Sequence, residues 1–197
     1  MLYSAMLRKI VIFVALTIAP LAVRAANPIF GDFQNQFRAD ITWQVDHYAA
    51  AVRNFVIGYA QPNTFFRLPG RRSIHLGYMA GTTHWWAIEP TDPNARGKKI
   101  EKRCQHRSIS TAMAGFMQDL VFLSAYNFYL GAGIGPYVKD HRRDFVQTNL
   151  IIGERAFLGY RFERFNVELI ASHFSNGHLS LLNRGINSVG LGVTWNF

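Results

Sequence analysis

Polar and apolar residues alternate along most of this chain, most cleanly at its C-terminus. There Val189, Leu191, Val193, Trp195 and Phe197 fall on one face of an extended segment, and Ser188, Gly190, Gly192, Thr194 and Asn196 on the other. Period-two patterning bounded by turn residues predicts strands over 39–48, 52–60, 72–87, 106–117, 126–138, 148–162, 164–176 and 186–197. The first span also reads as a helix, and the connection over 117–125 is unusually apolar. No internal repeat, low-complexity segment or dividing linker interrupts the series, so the expectation is all-β.

The N-terminus departs from this pattern. Arg8 and Lys9 precede the apolar run Ile10 to Ala19, and Val23-Arg24-Ala25 is a small-residue pattern that suits signal-peptidase cleavage. The run is about ten residues long, whereas a membrane helix needs about twenty. Residues 1–25 are therefore expected to be a cleaved signal peptide, with residues 26–197 forming one domain. Cleavage removes Arg8, Lys9 and Arg24 and no acid, which lowers the formal charge from +9 to +6. Export and the concentration of positive charge in predicted loops argue against a nucleic-acid partner. Cys104 has no partner for a disulfide and no neighbours at zinc spacing, so it reads as a loop cysteine without a role.

An exported chain of alternating strands, 14% aromatic, is either a soluble β protein or an outer-membrane barrel. Alternation alone does not separate the two. The terminal Phe197 resembles the C-terminal signature of bacterial outer-membrane barrels, and with the signal peptide it favours an eight-stranded antiparallel up-and-down transmembrane β-barrel. With both termini in the periplasm, residues 49–51, 88–105, 139–147 and 177–185 lie outside, and the periplasmic turns are 61–71, 118–125 and a very short one near Arg164. The outer loops then carry Arg96, Lys98, Lys99, Lys102, Arg103, Lys139, His141, Arg142 and Arg143. Lys98, Lys99, Arg142 and Arg143 are candidates to hold the phosphates of an anionic surface glycolipid. Trp43, Trp85, Trp86, Tyr126 and Phe128 read as interfacial girdle aromatics.

One polar group breaks the lipid-facing pattern. In VELIASHFSNGHLSLLNRGINS (Val167–Ser188), Val167, Leu169, Ala171, His173 and Ser175 share one face, so an apolar stripe ends in a histidine and a serine. The two sit about 6 to 7 Å apart at strand spacing. On a lipid-facing wall such groups are costly and usually functional. Asn187 shares the outward face of the next strand and can converge with them. Glu168 alternates to the interior with Asn176, and Glu154 stays ambiguous.

The segment His173-Phe174-Ser175-Asn176-Gly177 resembles the His-x-Ser-Asn motif of the PagL-type lipid A 3-O-deacylases. The likeness continues through Tyr129–Gly135, Glu154–Phe162 and Asn183-Arg184-Gly185-Ile186-Asn187, and it is clear over 126–197. It implies an outer-membrane esterase acting on the 3-linked acyl chain of lipid A within lipopolysaccharide, from the lipid-facing wall and without metal or cofactor. Ser175 would be the nucleophile and His173 its base, with Asn176 and the Gly177 N–H as oxyanion donors. The family's third catalytic member is a glutamate, where this chain has Asn187. An amide orients the histidine but cannot offset imidazolium charge. Esterase action on another acylated lipid and a non-catalytic structural or adhesive barrel remain alternatives. Oligomeric state stays open, a homodimer being one choice.

Overall fold

The computed structural model describes residues 34–45, 49–66, 68–88, 102–140, 148–177 and 185–197. The strands are β1 (Gln36–Gln44), β2 (Ala49–Phe65), β3 (Leu68–Ile88), β4 (Lys102–Ala125), β5 (Phe128–Lys139), β6 (Leu150–Arg161), β7 (Phe165–Ser175) and β8 (Ile186–Asn196). Each pairs antiparallel with its sequence neighbours, and β1 pairs with β8 to close the barrel. Closure leaves the sheet without an open edge, the condition for spanning a bilayer with strands.

The alternation reads directly as wall and interior. Phe37, Ile41 and Trp43 of β1, Ile74 and Leu76 of β3 and the row Val189, Leu191, Val193, Trp195 of β8 are exposed on the outer surface. Their partners in the pleat turn inward: Gln36, Arg38, Asp40 and Thr42 of β1 and Ser188 and Thr194 of β8 are buried. A soluble barrel would have the apolar row inside. Strand β1 is no helix, because its period is two and both its edges are paired. Phe197 stacks on Phe37 (4.8 Å between centroids), and Phe128, Tyr160, Phe162 and Phe165 extend an aromatic girdle around the terminal rim.

The interior has two zones. Near the terminal rim Arg38, Arg71 and Arg155 interleave with Asp40, Asp119 and Glu168. Arg38 Nε donates to Asp40 (2.6 Å) and its Nη2 to Glu168 (2.9 Å). Arg71 Nε donates to Asp119 (2.7 Å), and Arg155 Nε donates to the same carboxylate (2.8 Å). Tyr129 Oη donates to Glu168 (2.7 Å). Three cations face three anions, so the charges balance where no water screens them. Toward the other rim the interior is mainly apolar, with Val52, Val56, Met79, Met113, Met117, Tyr137, Ile151, Phe174 and Ile186 in one cluster. A side-chain-filled interior leaves no aqueous pore.

Several expected boundaries move. The segment 118–125 belongs to β4 rather than to a turn, and the connection shrinks to Tyr126–Asn127. Its apolar character arises because Leu120 and Phe122 face outward and Val121 inward, with a register shift between Val121 and Leu123. The turn expected over 61–71 is likewise short, β2 running to Phe65 and β3 starting at Leu68. Residues 49–51 lie in β2 rather than in an outer loop. Lys102, Arg103 and Cys104 lie in β4, so Cys104 is a strand residue paired with Trp86. Lys139 closes β5 with its side chain buried, not loop-borne. Residues 1–25, Lys98, Lys99, Arg142 and Arg143 lie outside the described residues.

Candidate active site

The site begins with a tight turn. At Glu163–Arg164 the chain reverses, and Phe162 N–H donates to Phe165 O (2.8 Å). This sets the register of β6 on β7, which places Ile152 opposite Ser175, Glu154 opposite His173 and Ala156 opposite Ala171. On the other side His173 pairs with Asn187 and Ala171 with Val189. Antiparallel partners share a face, so Glu154, His173 and Asn187 form one transverse row on the outer wall.

Within that row the imidazole is oriented. His173 Nδ1–H donates to Asn187 Oδ1 (2.7 Å). With the amide oxygen turned to the ring, Nδ1 carries the proton and Nε2 keeps the lone pair. Nε2 is buried and has no hydrogen-bond partner among the described residues. Nε2 is thus not hydrogen-bonded to Ser175, two residues along the same face, and its lone pair is left free, as a general base needs before substrate draws the two together.

Ser175 follows on the same face as the last residue of β7. Alternation predicts a lipid-exposed hydroxyl, yet the residue is 2% exposed. The chain leaves the sheet directly after it. Asn176 is buried, and Gly177, at φ +59°, bends the backbone against Ile152, where an added Cβ would lie 2.9 Å from Cδ1. Ile152 is thus flanked by its cross-strand partner Ser175 and by Gly177. Only glycine adopts such a φ at little cost. Gly185, at φ +48°, leads into β8 against the imidazole itself, since a Cβ there would lie 2.6 Å from His173 Cε1.

The wall behind the row is packed. Phe174 and Ile186 pair across β7 and β8 and point inward, and Tyr137 meets Phe174 edge-on at 5.3 Å. Tyr137 Oη shares a 2.5 Å hydrogen bond with His75 Nδ1, and Ser172 one of 2.7 Å with Ser188. The outer row therefore rests on these inward side chains, beside a small cavity lined by His75, Tyr137, Ser172 and Phe174. Among the described residues no cluster of His, Cys, Asp and Glu could hold a metal ion.

Glu154 has no role in the sequence reading, and the structure puts it beside the histidine. The signal was available. A two-residue turn at 163–164 pairs 162 with 165, and counting outward from it sets 154 against 173.

These features define a class: a closed membrane barrel carrying an oriented histidine and a serine on its lipid-facing wall. The family model described as "Lipid A 3-O-deacylase (PagL)" matches residues 21–196. The chain belongs to that family and is an outer-membrane barrel. Among solved structures it is similar to the crystal structure of the outer membrane enzyme PagL (15% identity, TM-score 0.52, covering 82% of this chain and 99% of that one). This likeness carries the eight-stranded fold. The Yersinia pestis outer membrane protein Ail, solved as a backbone structure in a phospholipid bilayer nanodisc, is more distant (11% identity, TM-score 0.41, covering 83% and 100%) and carries no argument here. No curated protein matches the chain.

Proposed function

We propose that this protein hydrolyses the ester of the 3-linked acyl chain of lipid A by a serine–histidine mechanism. One observation carries the reading: His173 is oriented through Nδ1 by Asn187 at 2.7 Å, with Nε2 unpartnered, and Ser175 follows it by two residues on the same face of β7. A lipid ester in the outer leaflet reaches such a site laterally, without leaving the bilayer.

In the first half-reaction His173 Nε2 takes the Ser175 proton as Oγ bonds to the ester carbonyl carbon. Oxyanion charge is met by the Gly177 N–H and the Asn176 amide. Collapse breaks the C–O bond to the sugar, whose 3-oxygen takes the proton from His173, leaving an acyl-serine. Water then attacks the acyl carbonyl, giving a proton to His173; collapse breaks the acyl–Oγ bond, Ser175 Oγ takes that proton back from His173, and the fatty acid is released. No step calls for a metal or an organic cofactor. The phosphates of lipid A suit Lys98, Lys99, Arg142 and Arg143. Cleavage of residues 1–25 on export belongs to the same proposal.

The test is hydrolysis of purified lipopolysaccharide and of phospholipid, side by side, by wild type and Ser175→Ala. Release of the 3-linked acyl chain by wild type alone supports the proposal. Release from phospholipid only would move the substrate to another acylated lipid, and equal release by Ser175→Ala would overturn the mechanism.

A further inference from the structure

Glu154 is out of place on the outer wall. Its cross-strand partner on β5 is Ile134, its partner on β7 is His173, and along β6 the same face carries Leu150, Ile152, Ala156 and Leu158. Ile134, Leu150 and Leu158 are exposed on the outer surface, so the neighbourhood is apolar apart from the imidazole and the diagonal Ser175. Glu154 is half-buried, and its carboxylate makes no hydrogen bond or ion pair with another described residue. An ionisable group on a lipid-facing wall costs free energy and persists where it has a function or a countercharge. The group facing it across the strand pair is His173.

We propose that Glu154 supplies the negative charge that His173 needs in its protonated form, from the side opposite Asn187. The inference rests on the serine–histidine reading above. Asn187 accepts from Nδ1 and holds the ring, but its amide leaves the imidazolium uncompensated. Directly paired antiparallel residues have Cβ atoms about 4.5–5.5 Å apart, so a glutamate opposite a histidine brings a full charge to the ring through a low-dielectric wall. Orientation and charge, combined in one carboxylate in the resembling enzymes, are divided here between β8 and β6. Glu154 touches no substrate in this scheme and is a positioning and electrostatic residue. It does not exchange protons with His173, and its contribution grows as imidazolium forms in the transition state.

The division predicts a rescue. Purified protein is reconstituted into vesicles of phospholipid and lipopolysaccharide, and release of the 3-linked acyl chain is measured per folded barrel, scored by heat-modifiable gel mobility. Ser175→Ala is expected to release none. Glu154→Gln is expected to lower kcat about 10- to 100-fold with KM unchanged. Adding Asn187→Glu to Glu154→Gln, which returns a carboxylate to the ring from the other side, is expected to restore most of the rate. A structural role for Glu154 would not be rescued from β8. Wild-type turnover in Glu154→Gln, or a slow Glu154→Gln that Asn187→Glu leaves slow, overturns the inference. Full activity in Ser175→Ala overturns the underlying mechanism instead, so the two failures are distinct.

Discussion

His173 and Asn187 face each other across β7 and β8, Nδ1 donating to Oδ1 at 2.7 Å, and this contact selects the tautomer that leaves Nε2 free to act as a base. Removing the acceptor releases the ring. Asn187→Ala is expected to slow hydrolysis about 100-fold through kcat, with the barrel still folded. Slower labelling of Ser175 by a fluorophosphonate is the independent check, since labelling reads nucleophile activation without the lipid. Unchanged labelling would remove Asn187 from the site.

Gly185 tests how tightly the ring is held. An alanine Cβ would lie 2.6 Å from His173 Cε1, and φ +48° strains any side chain by about 1 kcal/mol. Gly185→Ala is therefore expected to cut turnover severalfold while urea unfolding in lipid vesicles shifts by about 1 kcal/mol. Equal and large losses in both measurements would mean a folding defect rather than a displaced imidazole.

The interior charge network should respond to the loss of one member more than any surface charge does. Asp119 is fully buried between Arg71 and Arg155. Asp119→Asn leaves both guanidinium groups short of a countercharge, at a cost of about 3–5 kcal/mol by unfolding in vesicles. Turnover per folded barrel is expected to stay near wild type, because this network lies toward the terminal rim.

The outward apolar row predicts a depth-dependent penalty. Leu169 is 57% exposed at mid-strand, flanked by Leu158 and Leu191. Leu169→Arg is expected to cost about 2–4 kcal/mol in a bilayer, and Tyr126→Arg, at a turn where residue 126 is 90% exposed, at most about 1. Equal costs at both positions would contradict the placement of the hydrocarbon belt.

The eight strands, and the facing of β7 and β8, were legible because a strand with one lipid face and one inward face alternates at period two. That signal disappears where both faces are apolar, as over Leu120–Phe122, and there the strand was read as a connection. Inward orientation of Glu168 followed from alternation, but its partners Arg38, Arg71 and Tyr129 come from β1, β3 and β5 and meet it only once the barrel closes. Convergence of His173 with Asn187 was legible from facing and motif together. The burial of Ser175 at the strand end is not encoded by alternation, which predicts only the face. Pairing of Glu154 with His173 could have been counted from the turn at 163–164.

The account turns on Ser175, and the mass spectrum of lipid A from a host expressing wild type or Ser175→Ala addresses it most directly, with both barrels verified in the outer membrane. Loss of one 3-linked acyl chain with wild type and none with Ser175→Ala is the predicted result. An intact 3-linked chain in both, or its loss in both, contradicts it.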